Sequence, residues 1–95
     1  MNPKESPEID VVEELDEVVE HVKLWSLVVF NDDVNTFDHV INCLIRYCDH
    51  TLEQAEQCAY IVHYNGKCTV KTGSYDDLEP RCSSMLKANL SAELV

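Results

Sequence analysis

The sequence predicts an α+β domain of two layers, three strands backed by helices on one side. Three observations point there. An apolar run from Leu24 to Phe30 stops at Asn31-Asp32-Asp33. Two stretches with apolar residues at helical spacing follow it. A segment of alternating polarity from Lys67 to Thr72 then precedes a third helical pattern and a short apolar C-terminal run. The order is β-α-α-β-α-β, with no internal repeat.

Each element has its own signal. Val28, Val29 and Phe30 are β-prone, so residues 24–30 read as a buried strand. Asn31, Asp32 and Asp33 favour turns and left-handed backbone, and they end it. Asn35 or Thr36 is placed to cap a helix. Its apolar face is Phe37, Val40, Ile41, Leu44, Ile45 and Cys48, a helical period. Asp49-His50 breaks that helix. Thr51 and Gln54 form a capping box for a second one, with Leu52, Ala55, Ala59 and Val62 on one face. Gly66 is placed to stop it in left-handed conformation.

From Lys67 to Thr72, Cys68 and Val70 alternate with Lys67, Thr69 and Lys71, the pattern of a half-buried strand. Ser74 can cap a third helix whose apolar face is Leu78, Cys82, Met85 and Leu86. Pro80 predicts an irregular start to it. Asn89 ends it, and Leu90 to Val95 is a short final strand.

Ninety-five residues, 45% of them apolar, are enough for one domain with a small core. The net charge of -11 is concentrated at the N-terminus. Residues 1–22 hold eight acids and one base; residues 23–95 hold ten acids and six bases. A phosphate binder needs a basic stripe, so nucleic acid is not an expected partner. A cationic partner fits better. Residues 1–8 are expected to be disordered, and Ile9 to Glu20 to form a weak helix at most, because valines and repelling acids disfavour it. The segment reads as a solvated tail or as an arm that a partner grips. No apolar run reaches membrane-spanning length and no secretory signal is apparent, so a cytoplasmic protein without membrane contact is expected.

The five cysteines, at 43, 48, 58, 68 and 82, are odd in number and contain no Cys-x-x-Cys. That argues against a disulfide framework or a zinc ribbon and for small buried apolar side chains. His39 and Cys43 stand one helical turn apart, but two further zinc ligands at fixed spacing are missing. A thiol hydrolase would need a cysteine in an activating environment, and no basic cluster flanks one. No cofactor or metal is expected, and no enzymatic activity.

The most informative polar groups are Asn31-Asp32 and the tetrad His63-Tyr64-Asn65-Gly66. They suit a positively charged amine with an apolar group beside it. An α-ammonium donates three hydrogen bonds and accepts none. Asn31 offers a carbonyl oxygen, Asp32 a carboxylate and His63 a ring nitrogen, directly or through water. Ala59, Val62 and His63 fall at i, i+3 and i+4, so one helical face can present apolar wall and polar group together. Each residue also has a plainer reading: His63 as a helix-end cap, Asn31 and Asp32 as turn formers, Phe37 and Val62 as core.

The stretch from about Leu24 to the C-terminus resembles ClpS, the adaptor family of the Clp ATP-dependent protease. The resemblance rests on the strand ending in Asn31-Asp32-Asp33, on Val40-Ile41 and Leu44, on Ala55, and on Val62-His63-Tyr64-x-Gly66-Lys67. It divides the chain into an acidic flexible extension, residues 1–22, and an adaptor core, residues 23–95. It implies a three-stranded antiparallel sheet packed against three helices, similar to the ribosomal stalk protein's C-terminal domain. It also implies binding of proteins that begin with Leu, Phe, Tyr or Trp, through Asn31, Asp32 and His63 at the α-amino group. The implied first-side-chain pocket is Asn35, Phe37, Val40, Ala59, Val62 and Leu90.

Delivery to a Clp-type AAA+ unfoldase is implied too, with Asp76, Glu79 and Arg81 on its contact surface and the chain a monomer. The extension fits, by position, a segment that the unfoldase engages. The chain departs from many members at two places. Asn35-Thr36-Phe37 stands where they carry Thr-Pro-Met, and Ala59 where they carry Met. Phe37 is bulkier and stiffer, while Ala59 leaves room. The alternative is a generic interaction module of the same fold without an amine site.

Overall fold

The computed structural model describes residues 23–95. The acidic extension over residues 1–22, and the weak helix expected there, lie outside the described residues. The order of elements is β1 (Trp25–Phe30), α1 (Phe37–Cys48), α2 (Leu52–Asn65), β2 (Lys67–Gly73), α3 (Tyr75–Lys87) and β3 (Ser91–Leu94). β1 is the central strand, antiparallel to β2 on one side and β3 on the other. The expected α+β architecture of three helices against a three-stranded antiparallel sheet is what forms.

Local chemistry sets each boundary. The Thr36 hydroxyl accepts from the His39 amide and caps α1. Asp49 closes α1 in left-handed conformation at φ 58°, which Asp tolerates better than most side chains. Thr51 and Gln54 make the expected capping box at α2. Gly66 ends α2 at φ 97° and donates to the Val62 carbonyl. Ser74 caps α3 through the Asp77 amide.

Several expectations are corrected. Asn31, Asp32 and Asp33 end β1 without left-handed backbone; the positive-φ non-glycine residues described are Asp49 and Asn89. The turn is instead held by the Asp32 side chain. α3 is helical from Tyr75 despite Pro80, so its start is regular. Proline lacks only the amide that would bond back to Asp76, and the exposed surface there leaves that carbonyl open to water. Leu52 and Leu86 sit on expected apolar faces but are exposed. Cys43, off the α1 period, is buried because α1 packs against both α2 and α3.

The core joins Leu27 and Val29 of β1 with Ile41, Leu44 and Cys48 of α1. Ala55, Ala59 and Val62 of α2, Leu78, Cys82 and Met85 of α3, Val70 and Leu90 complete it. β2 carries one irregularity. Leu27 pairs with Lys71 but Val28 pairs with Thr69, which leaves Val70 as an extra residue. A bulge leaves its extra residue outside the ladder. Here the Val70 side chain enters the core, and its carbonyl accepts from His50 Nε2 at 2.8 Å. A carbonyl only accepts, so Nε2 donates, and the buried Nδ1 has no partner.

Candidate functional site

Three chain reversals meet at one corner of the sheet. The Asn31 amide donates to the Gly66 carbonyl at 2.9 Å, which places the end of β1 against the end of α2. Asp32 organises the loop that follows. Its Oδ1 accepts from the amides of Val34 at 2.9 Å and Asn35 at 2.8 Å. Its Oδ2 accepts from Asn35 Nδ2 at 2.8 Å and from the Ser91 hydroxyl at 3.4 Å. Asn35 Nδ2 also donates to the Asn89 carbonyl at 2.8 Å, drawing in the turn between α3 and β3.

These bonds favour the charged carboxylate. The Asn35 backbone N–H is the main cause holding the Asp32 carboxyl below its ordinary value, and partial burial opposes it. Asp32 is therefore fully ionised at neutral pH. The Ser91 contact is longer than an ordinary O–H···O bond, so it is the weakest of the four.

His63 is exposed on the last turn of α2. Its ring contacts are aromatic: Phe37 edge-on with centroids 6.1 Å apart, and Tyr64 at 4.6 Å. Phe37 also meets Tyr60 edge-on at 6.5 Å, and Tyr60 lies 4.5 Å from Tyr64. Phe37 thus bridges the start of α1 to the end of α2 as one member of an aromatic cluster at the corner.

The six expected wall residues divide in two. Ala59, Val62 and Leu90 are 2%, 3% and 4% exposed and belong to the core cluster. Val40 packs partly against the same cluster, Asn35 is half-buried, and Phe37 is 40% exposed. The structure therefore brings Asn31, Asp32, Asn35, Phe37 and His63 to one corner, while Ala59, Val62 and Leu90 are buried in the core. Sequence reasoning missed Ser91, Asn89 and Tyr60 there. Only Tyr60 had a signal, the helical spacing that stacks it on Tyr64.

Asp76, Glu79 and Arg81 lie elsewhere. Tyr75 at the head of α3 packs on Trp25 with ring centroids 5.1 Å apart, so α3 starts near the beginning of β1. The corner of Asn31, Asp32 and His63 is at the other end of that strand, roughly 20 Å away at strand rise. Asp76 and Glu79 are exposed. Arg81 is engaged internally, with Asp49 at 3.1 Å, Asp77 at 3.2 Å and the Tyr47 carbonyl at 3.1 Å. It ties the end of α1 to α3.

Two clefts lie away from this corner. One, of about 400 Å³, is lined by His39, Asn42, Cys43, Arg46, Tyr47 and Ala88. His39 Nε2 there bonds the Ala88 carbonyl at 2.8 Å. The other, of about 310 Å³, includes His50, Cys58, Ile61, Cys68 and Val70. Neither includes Asn31, Asp32, Phe37 or His63. Among the described residues no three His, Cys, Asp or Glu side chains are placed to hold a metal ion. Burial pushes the thiols of Cys43 and Cys82 up, and that of Cys48 up to about 11, the reverse of what a nucleophilic thiolate needs.

A family model described as ATP-dependent Clp protease adaptor protein ClpS matches residues 20–93. The chain belongs to the ClpS family. The ClpS adapter protein of Thermosynechococcus vestitus is 35% identical over 72 residues, covering 75% of this chain and 77% of its own. That of Vibrio cholerae is 30% identical over 80 residues, covering 84% and 76%. Among solved structures, Agrobacterium tumefaciens ClpS2 bound to L-phenylalaninamide aligns with a TM-score of 0.73 at 16% identity. It covers 77% of this chain and 95% of that one, a likeness of fold. ClpS proteins are adaptors of the ATP-dependent Clp protease, so the chain's partners are Clp protease components and their substrates. No described helix is long and apolar enough to cross a membrane.

Proposed function

We propose that the chain binds proteins that begin with a bulky apolar residue, by their free α-amino group and first side chain. It hands them to a Clp-type AAA+ unfoldase for degradation. The observation that carries this reading is the corner itself. The bond from Asn31 to Gly66 draws Asn31-Asp32 to the helix end that bears His63, with the Phe37 ring against His63.

The chemistry fits an ammonium. Asp32 keeps its negative charge, and the long Ser91 contact is the one an ammonium can replace at Oδ2. Asn31 adds a carbonyl acceptor and His63 a ring nitrogen. Charge-assisted bonds contribute about 1.5–3 kcal/mol each, and burial of a Leu or Phe side chain about 1.5–3 kcal/mol. An acetylated N-terminus loses the charge and gains bulk, so it is disfavoured twice. Asp76 and Glu79, exposed at the far end of β1, are assigned to the unfoldase. They leave the amine corner free while the adaptor is docked. Arg81 supports that surface from within by fixing α3 to α1.

An NMR titration with L-phenylalaninamide, against its N-acetyl counterpart, tests the site. The free amine is expected to shift the amides of Asn31, Asp32, Asn35 and His63, and the acetylated compound to leave them in place. Identical shifts with both, or none with either, favour an interaction module without an amine site.

A further inference from the structure

The cleft between α2 and β2 holds two cysteines that the adaptor chemistry leaves unused. Cys58 projects from α2 and Cys68 from β2, and both line the same cleft. Both are partly accessible, whereas Cys43, Cys48 and Cys82 are buried. The Cys68 thiol donates to the Thr69 carbonyl at 3.5 Å, and Cys58 is close enough to raise its pKa. Two partly accessible thiols that face one cleft from a helix and an adjacent strand are the arrangement from which a disulfide can close. The other three thiols lie in the core and are closed to an oxidant.

We propose that Cys58 and Cys68 form a reversible oxidation site, closing to an intramolecular disulfide in exchange with a low-molecular-weight disulfide such as oxidised glutathione. In a reducing compartment such a bond is a transient sensor rather than a structural brace. The exchange runs in two steps. The Cys58 thiolate attacks glutathione disulfide, a Cys58–glutathione bond forms, the glutathione S–S bond breaks and one glutathione thiolate leaves. The Cys68 thiolate then attacks the Cys58 sulfur and expels the second glutathione thiolate. Two protein thiols are oxidised, one glutathione disulfide is reduced, and the two thiol protons finish on the two glutathiones.

Burial, and then the adjacent Cys58, push the Cys68 thiol up to about 11, which makes Cys68 a weak first nucleophile. The covalent loop so closed contains Val62, His63 and Gly66. Oxidation therefore pins the helix end and the strand start whose meeting builds the amine corner.

The test is incubation of the full chain with glutathione disulfide, followed by intact mass and non-reducing tandem mass spectrometry after a digest that separates Cys48 from Cys58. The expected product has lost two hydrogens, joins the Cys58 peptide to the Cys68 peptide, and returns to the starting mass with dithiothreitol. Cys58→Ala and Cys68→Ala each abolish that product. A bridge through Cys43, Cys48 or Cys82, stable glutathione adducts without a bridge, or an unchanged mass in the wild-type protein overturns the proposal.

Discussion

The carboxylate of Asp32 accepts from two backbone amides, the Asn35 side chain and the Ser91 hydroxyl. Its folded-state pKa is lowered, so its contribution to stability is present above the unfolded pKa and is lost as pH falls through the folded value. In acid titrations the Val34 and Asn35 amide resonances are expected to move together, with a midpoint below that of an ordinary aspartate. Asp32→Asn removes that transition. Peptide affinity should fall at the same acid step. It should also fall above about pH 8, where a free α-amine loses its proton. Asp32→Ala and Asn31→Ala are each expected to weaken a free-amine peptide by about tenfold or more, the loss of one charge-assisted bond. Phe37 gives a separate prediction. It stands against Tyr60 and His63, so Phe37→Ala should widen the entrance and admit β-branched first residues such as Ile and Val. An unchanged preference in a peptide series would make Phe37 core only.

At the scale of elements, the corner depends on Gly66. A Cβ added there meets nothing within 4 Å, so the cost of Gly66→Ala is one of backbone conformation at φ 97°. That is about 1–2 kcal/mol, measurable by urea denaturation. Arg81 and its neighbours separate support from contact. Arg81→Ala should lower stability by about 0.5–1 kcal/mol through loss of its ties to Asp49 and Asp77. Asp76→Ala and Glu79→Ala should leave the melting temperature in place and weaken unfoldase binding. Element order, caps and the Gly66 stop were legible because each rests on side chains a few residues apart. The Val70 bulge and its His50 partner were not, since they depend on register between distant strands. The same holds for Asp32: its residue type suggested a free carboxylate, while its four donors come from a loop and from Ser91, far along the chain. Pro80 misled because an exposed helix flank tolerates one open carbonyl.

Taken as a molecule, the domain keeps two working ends apart. The proposed amine corner sits where β1 finishes, and the exposed acids of α3 sit where β1 starts. On the proposed reading, one chain then holds a substrate at one end while the unfoldase holds the other. On the same reading, the acidic residues 1–22 serve this delivery step. Their removal should leave peptide affinity unchanged and slow degradation of a reporter that begins with Leu; normal degradation would make them a solubilising segment. The central claim is the N-terminal amine site, and fluorescence anisotropy tests it most directly. A labelled peptide that begins with Leu or Phe is titrated against its N-acetylated twin. The account predicts binding of the free peptide and at least about tenfold weaker binding of the twin. Equal affinity for the two, or no binding of either, would contradict it.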